Sequence, residues 1–271
     1  MKNWTGERLE TFIFSRDSIE HLHRYAIVSD YIKDKIVLDI ASGEGYGSNI
    51  MSKKAKFVYG VDIDNTTVQE AKLKYKKDNL EFLIGSASDI PIEDNSIDVV
   101  VSFETIEHHD KHDEMMNEIK RVLKPNGLLI ISTPDKLYYS DKRNFNNQFH
   151  IKELYKQEFT DLILKSFNNI QLLTQMFVNG NSIIQDDKIN SEPQIFSGNY
   201  SDIIDLLVDP LYIIAIASDN NFEEQKSSVF DGNQIINANF KKQINKIYSS
   251  NSYKIGHLIL LPFKILKKIF K

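Results

Sequence analysis

The stretch EHHDKHDE (107–114) packs three histidines and four acidic residues into eight positions. Histidine exchanges a proton near neutral pH, and a neighbouring carboxylate can orient it or share its charge. His108 is therefore a candidate active-site base, with Glu107 beside it as a second proton-handling group. His150, within NQFHIKEL (147–154), either lies in an acceptor pocket or supports the loop before the next helix. His108 and His112 stand one helical turn apart and could pair on a metal. The plainer account is that Asp110 caps the following helix while Asp113 and Glu114 favour its positive end, and no metal is expected.

A second stretch, VLDIASGEGYGS (37–48), runs from an apolar segment into an aspartate and then glycines at every second position. Such loops let a backbone approach a ligand closely. A P-loop would need a lysine and then Ser or Thr after the last glycine, and none follows Gly47. A dinucleotide loop takes G-x-G-x-x-G without acids where the pyrophosphate packs, whereas Asp39 and Glu44 flank Gly43 and Gly45 and would oppose a diphosphate. The positive sulfur and ammonium of S-adenosylmethionine have the opposite preference. Asp62, ending a second apolar run, can accept both ribose hydroxyls of this cofactor or of NAD; Asp89, in GSASDIP, can accept from an adenine amino group. Arg24 could bind the cofactor's carboxylate or an anionic acceptor, or form a surface ion pair with Glu20. Tyr138 and Lys142 fit Y-x-x-x-K, but LYYSDKRNFNN reads as a loop and the acidic glycine loop disfavours NAD, so the match is taken as coincidence.

These residues need a scaffold. Five continuously apolar runs, 35–40, 56–63, 80–85, 96–103 and 127–133, read as parallel strands covered on both faces, with helices between them over 45–54, 65–77 and 110–124. A helix is expected over 152–167, then strands over 170–177 and 210–218. The result is an α/β fold: a doubly wound, mostly parallel, seven-stranded sheet. A polar stretch of about thirty residues before the last strand is long for a structureless connection and reads as a lid or small insert. Residues 18–32 read as a helix over the ligand-binding edge. The domains are 1–34 as an N-terminal cap, 35–220 as the catalytic domain with an insert at about 179–209, and 221–271 as a C-terminal extension.

In that order, VLDIASGEGYGS, GVDID, SASDIP, SFETIEHH and LKPNGLLIISTP resemble the motifs of Rossmann-like S-adenosylmethionine-dependent methyltransferases. The resemblance implies Asp39, Ser42, Gly43 and Gly45 at the methionine part of the cofactor, and Asp62 and Ile63 at ribose and adenine. It further implies Ala87, Ser88 and Asp89 at adenine and Phe103 with Glu104 beneath the sulfonium; Arg24 and Tyr25 of the N-terminal cap complete the expected cofactor contacts. Ala41 departs from the pattern, standing where the family often has its first glycine. WTGERL (4–9), EHLHRYA (20–26) and NQFHIKEL are similar to segments of bacterial methyltransferases found among surface-polysaccharide genes. O-methylation of a sugar hydroxyl, or of a phosphate or phosphoramidate group, in capsule or other surface-glycan assembly is what this implies. The alternatives are a non-catalytic cofactor-binding module in a membrane-associated assembly and, disfavoured, an NAD-dependent dehydrogenase.

The composition, 41% hydrophobic and 26% charged, is that of a globular protein. No secretory signal pattern and no 18-residue apolar run is present, so a cytoplasmic location is expected. With no cysteine, disulfides, thiolate metal sites and cysteine nucleophiles are excluded. Residues 241–271 carry eight lysines and no acid, which leaves -13 of the net charge of -5 on residues 1–240. The body should repel nucleic acid while the tail attracts anionic surfaces. In LPFKILKKIFK (261–271), Lys264, Lys267, Lys268 and Lys271 would share one helical face and Ile265, Leu266, Ile269 and Phe270 the other. Such a helix suits an anionic membrane interface, or packing on the body or on a second subunit.

Overall fold

The computed structural model describes residues 9–188 and 193–269, with side chains described as far as residue 260. WTGERL lies outside the described residues except for Leu9, as do the side chains of LPFKILKKIFK.

The chain runs α1 (Arg16–Val28), β1 (Ile36–Ile40), α2 (Tyr46–Met51), β2 (Phe57–Asp62), α3 (Asn65–Lys74), β3 (Leu80–Ile84), β4 (Ile97–Phe103), α4 (His112–Val122) and β5 (Leu123–Pro134). It continues through α5 (Lys156–Leu164), β6 (Asn169–Val178), β7 (Asn181–Asp186), β8 (Phe196–Gly198), β9 (Ile203–Asp205), β10 (Tyr212–Ser218), β11 (Ser228–Asp231), α6 (Asn233–Ser249) and α7 (Asn251–Ile269). One sheet takes the order β11-β7-β6-β10-β5-β4-β1-β2-β3. Its β3-β2-β1-β4-β5 part is parallel, and β10, β7 and β11 pair antiparallel to their neighbours.

The expected continuous apolar runs arise because successive residues feed opposite faces. Leu38, Val100 and Ile131 pack with Met115, Ile119 and Phe159 on the α4–α5 side. Val37, Val99 and Ile130 pack with Tyr25, Val28 and Met51 on the other. The sheet order reverses beside β1, so the turns after β1 and β4 open onto one crevice, where open α/β sheets bind ligands.

Three sequence expectations are corrected. The sheet has nine strands among the described residues rather than seven. The expected insert in part extends the sheet: Asn179 and Gly180, both at positive φ (46° and 85°), form a two-residue turn that folds β7 back on β6. Among the described residues only β8 and β9 form a separate small hairpin. Asp110 does not cap α4, whose N-cap is Lys111 without a side-chain bond; Asp113 and Glu114 do occupy its first turn. Helix α1 lies against β6, β7 and β11. His23 fixes it there, its ring nitrogens 2.9 Å from the hydroxyls of Ser182 and Ser228.

Candidate active site

The turn after β1 is held by its own backbone. Ser42 N–H donates to Val61 O, and Gly45 N–H donates to Ser42 O. Ala41 (φ 56°), Gly43 (φ 53°) and Gly45 (φ 86°) all lie in the left-handed region. Ala41 thus performs the turn expected of a glycine, at a steric cost of roughly 1 kcal/mol. A Cβ on Gly45 would come within 2.6 Å of the Phe82 ring, while one on Gly43 would meet nothing within 4 Å. Gly43 therefore faces open space. Its N–H donates to Asp62 Oδ2 at 2.9 Å, and Asp64 N–H donates to Asp62 Oδ1 at 2.9 Å, tying the ends of β1 and β2 together. Asp39, buried, accepts from Ser48 Oγ at 2.5 Å. Burial pushes its carboxyl up to about 7 despite that bond.

These turns line a cavity of about 410 Å³, within the usual range for small-molecule sites. Of the residues expected at the cofactor, Tyr25, Ala41, Ser42, Gly43, Asp62, Ile63, Ala87, Ser88, Phe103 and Glu104 border it. Asp39 and Gly45 lie behind the lining. Asp89 closes a tight turn with Ser86 through reciprocal backbone bonds, and its side chain is exposed outside the cavity. Arg24 is fully buried, with Nη1 2.6 Å from Glu104 Oε1 and 3.2 Å from Ser132 Oγ. Its expected ion pair with Glu20 is replaced: Glu20 takes Arg16, and Arg24 Nε reaches only the Glu20 backbone oxygen. Glu104, at φ 52°, is a non-glycine residue in a strained conformation, pinned by Arg24 and by Ser132 Oγ at 2.6 Å.

On the far side of the cavity stands the histidine cluster. His108 borders the cavity, and its Nδ1 is 3.0 Å from the Phe149 carbonyl oxygen. The ring of His150 meets that of His108 edge-on at 5.2 Å and stacks on Tyr139 at 5.4 Å. Its Nδ1 lies 2.5 Å from Glu153 Oε1. Glu107 is buried and accepts a long 3.4 Å bond from Thr133 Oγ1; burial and the adjacent Glu104 charge hold its carboxyl well above the usual range. The Glu107 carbonyl accepts from Ile151 and Lys152 N–H, clamping the 147–154 loop onto the turn after β4. His112 does not face His108: its Nε2 is 2.8 Å from the His109 carbonyl oxygen. Lys142 lies over the Tyr138 ring in a π-helical turn and pairs with Asp209, so the Y-x-x-x-K pair borders no part of the cavity.

The cavity suits S-adenosylmethionine on its own chemistry. Asp62 and Glu104 border it with negative charge, and Ser42 Oγ and both ring nitrogens of His109 are buried without a protein partner. Buried polar atoms are normally satisfied, so these await a ligand's polar groups. Residues 38–131 match the family profile described as a methyltransferase domain.

Residues 38–131 thus resemble a methyltransferase domain.

Its curated relatives include proteins described as S-adenosylmethionine-dependent methyltransferases. Over 166 residues it is 32% identical to a "probable S-adenosylmethionine-dependent methyltransferase" of Mycolicibacterium smegmatis, covering 59% of this chain and 62% of that one. The chain thus spans about three fifths of the length of the first curated relatives it matches. A fatty-acid O-methyltransferase of the same species is 27% identical over 118 residues, 43% of each chain. The crystal structure of a SAM-dependent methyltransferase from Thermotoga maritima superposes with a TM-score of 0.54 at 18% identity, covering 75% of this chain and 90% of that one. That likeness shows the fold.

Sequence reading missed several lining residues of the methyltransferase domain. His21 and Tyr46 both border the cavity and join through a 3.0 Å contact between the Tyr46 hydroxyl and His21 Nδ1. Tyr46 stood inside the glycine loop and was readable there, whereas His21 required the packing of α1 on α2. Glu44 was read as a charge for the cofactor, and it also pairs with Lys74 and accepts from Thr11.

Proposed function

We propose that this protein transfers the methyl group of S-adenosylmethionine to an acceptor oxygen, and that the acceptor enters on the side of Glu107, His108 and His150. The observation that carries this reading is His108: it borders the same cavity as Ser42, Gly43 and Asp62, with its ring fixed by the Phe149 carbonyl. The bound cofactor supplies an electrophilic methyl. The chain's task is to hold the acceptor oxygen in line with it, exclude water and accept the hydroxyl proton.

A neutral hydroxyl fits better than a phosphate or phosphoramidate. Arg24, the cation an anionic acceptor would use, is buried and already neutralised by Glu104. On the far wall His108 borders the cavity, with Glu107 and His150 beside it, and such groups handle protons rather than bind anions. The similarity of EHLHRYA and NQFHIKEL to methyltransferases of surface-polysaccharide gene clusters supports a sugar hydroxyl in glycan assembly. The fatty-acid O-methyltransferase among the relatives supports a second reading, a lipid carboxylate, which needs no base. Mass spectrometry of reactions with nucleotide sugars and with fatty acids, scored for a methylene gain, separates the two. Calorimetry should show S-adenosylmethionine binding that NAD does not displace; binding without turnover on any acceptor or cell extract would favour the non-catalytic module.

We infer further that the C-terminal arm meets an anionic membrane surface. Helix α6 buries no residue, and Phe240, Ile247, Tyr248, Tyr253, Ile255 and Leu258 are exposed along α6 and α7. Among the described residues no helix is long and apolar enough to cross a membrane. The eight lysines of 241–271 would each contribute roughly 1 kcal/mol near anionic lipid, weakened by salt. Full-length protein should sediment with anionic vesicles at low salt, and a chain ending near residue 250 should not; equal sedimentation of both, or of neither, refutes this.

A further inference from the structure

Three metal-ligand side chains from two separate loops converge at the acceptor side of the cavity. Glu107, His108 and His150 each bring one ligand atom to within 4.8 Å of the others. Bonds of about 2.1 Å to a common cation put ligand atoms roughly 3–3.5 Å apart, so small side-chain movements close the set. His150 lies 42 positions after His108, and the loop that carries His150 is fixed to Glu107 by the backbone bonds from Ile151 and Lys152.

Both rings are in the tautomer a ligand needs. His108 Nδ1 faces a carbonyl oxygen at 3.0 Å and must donate to it, which puts the lone pair on Nε2. His150 Nδ1 faces the Glu153 carboxylate at 2.5 Å and donates likewise. Asn147 agrees with this: its Oδ1 accepts from Phe149 N–H, so its amide NH₂ is the group 2.9 Å from His150 Nε2, and that group can only donate. A histidine that gives its second N–H to a carbonyl or a carboxylate is the usual companion arrangement of a metal ligand.

We propose that Glu107, His108 and His150 bind a divalent first-row cation of the Mn²⁺, Co²⁺ or Zn²⁺ kind. A mixed nitrogen and oxygen donor set favours these over Mg²⁺ or Ca²⁺. The Asn147 amide gives up its bond to His150 as the cation enters. In methyl transfer, and resting on that reading, the cation on His108 Nε2 replaces that ring as the group that activates the hydroxyl: it takes the acceptor oxygen as a further ligand and lowers its pKa. The acceptor O–H breaks and its proton passes to water; the oxygen then bonds the methyl carbon while the carbon–sulfur electron pair stays on sulfur.

The test is titration of chelator-treated full-length protein with Co²⁺, read by its visible absorption, with S-adenosylmethionine calorimetry on the same samples. One equivalent should bind. His150→Ala and Glu107→Gln should each weaken binding by about tenfold or more, and His112→Ala should leave it unchanged. His150→Cys should add a thiolate charge-transfer band in the near ultraviolet, direct proof of coordination even where the other variants fold poorly. Cofactor binding without saturable Co²⁺ binding overturns the cation site alone. Co²⁺ binding without cofactor binding overturns the methyl-transfer reading and leaves the site. Equal loss from His112→Ala and His150→Ala, or no new band in His150→Cys, places the ion elsewhere and refutes the assignment.

Discussion

The proposed cofactor wall and the proposed acceptor wall of the cavity are built by different means. On the cofactor wall, strand ends and their turns present backbone: Ser42, Gly43 and Gly45 bond to neighbouring turns, and Asp62 gathers two backbone N–H groups. Behind His108 on the acceptor side, side chains hold side chains: His150 with Glu153 and Asn147, Glu107 with Thr133. The first wall is rigid because the sheet is rigid. The second depends on a loop that docks through a few bonds, and substrate-specific chemistry belongs there because such a loop can vary without disturbing the sheet. A change in the acceptor wall should therefore alter turnover and spare cofactor affinity, and a change in the cofactor wall should do the reverse.

The largest effect separates the walls most clearly. His108→Gln should lower kcat by roughly 10²–10⁴-fold, since it removes either the proton acceptor or a ligand of the cation that replaces it, while the cofactor Kd stays within about twofold. Single-turnover kinetics beside calorimetry checks both halves; a parallel loss of affinity would mean that the walls are one unit. Asp62→Ala should do the opposite. It removes an acceptor for cofactor hydroxyls and unties Gly43 and Asp64, costing about 1.5–3 kcal/mol, or roughly 10–150-fold in affinity.

What the sequence disclosed follows the same division. The cofactor wall was legible because each part is local: a glycine turn directly after a strand, and an acid at the end of the next. Even Ala41, a departure from the family pattern, sits at the positive φ that the turn demands. The acceptor wall was legible only in its members. His108, His150 and Glu107 could each be chosen by type, but their convergence depends on the backbone bonds from Ile151 and Lys152 to Glu107, which no spacing rule encodes. Arg24 was misplaced for a related reason, since an arginine on a helix reads as a surface or ligand-facing charge until Glu104 is seen to bury it. The two missed strands had a readable signal in part: Asn179-Gly180 between apolar runs is a hairpin turn, and it folds β7 onto β6.

A smaller pair of changes sharpens the claim that the cofactor wall is rigid. Gly45→Ala sets a methyl 2.6 Å from the buried Phe82 ring at φ 86°. Overpacking and a left-handed alanine together should cost about 2–4 kcal/mol and lower Tm by several degrees. Ala41→Gly, at φ 56°, relieves strain of roughly 1 kcal/mol but loosens the unfolded chain, so its net effect should be small. Thermal unfolding of both variants reads the contrast. Equal destabilisation would mean that the turn is not held in these dihedrals.

The smallest effect is a pH dependence centred on Asp39. Burial raises the Asp39 carboxyl to about 7, against the opposing bond from Ser48. Because the folded value lies above the unfolded one of about 4, the stability conferred by the neutral form is complete below pH 4 and is lost as pH rises through about 7. The protein without cofactor should therefore be less stable at pH 8 than at pH 6 on this account. The cofactor reverses the preference, because its sulfonium and ammonium favour the ionised carboxylate. Affinity should rise a few-fold between pH 6 and pH 8, and cofactor should raise Tm more at the higher pH. Asp39→Asn keeps an acceptor for Ser48 and loses the titration, so both trends should flatten. A steep rise persisting in that variant would assign the proton to another group on the cavity, and Asp39 would then be a packing residue of β1 alone.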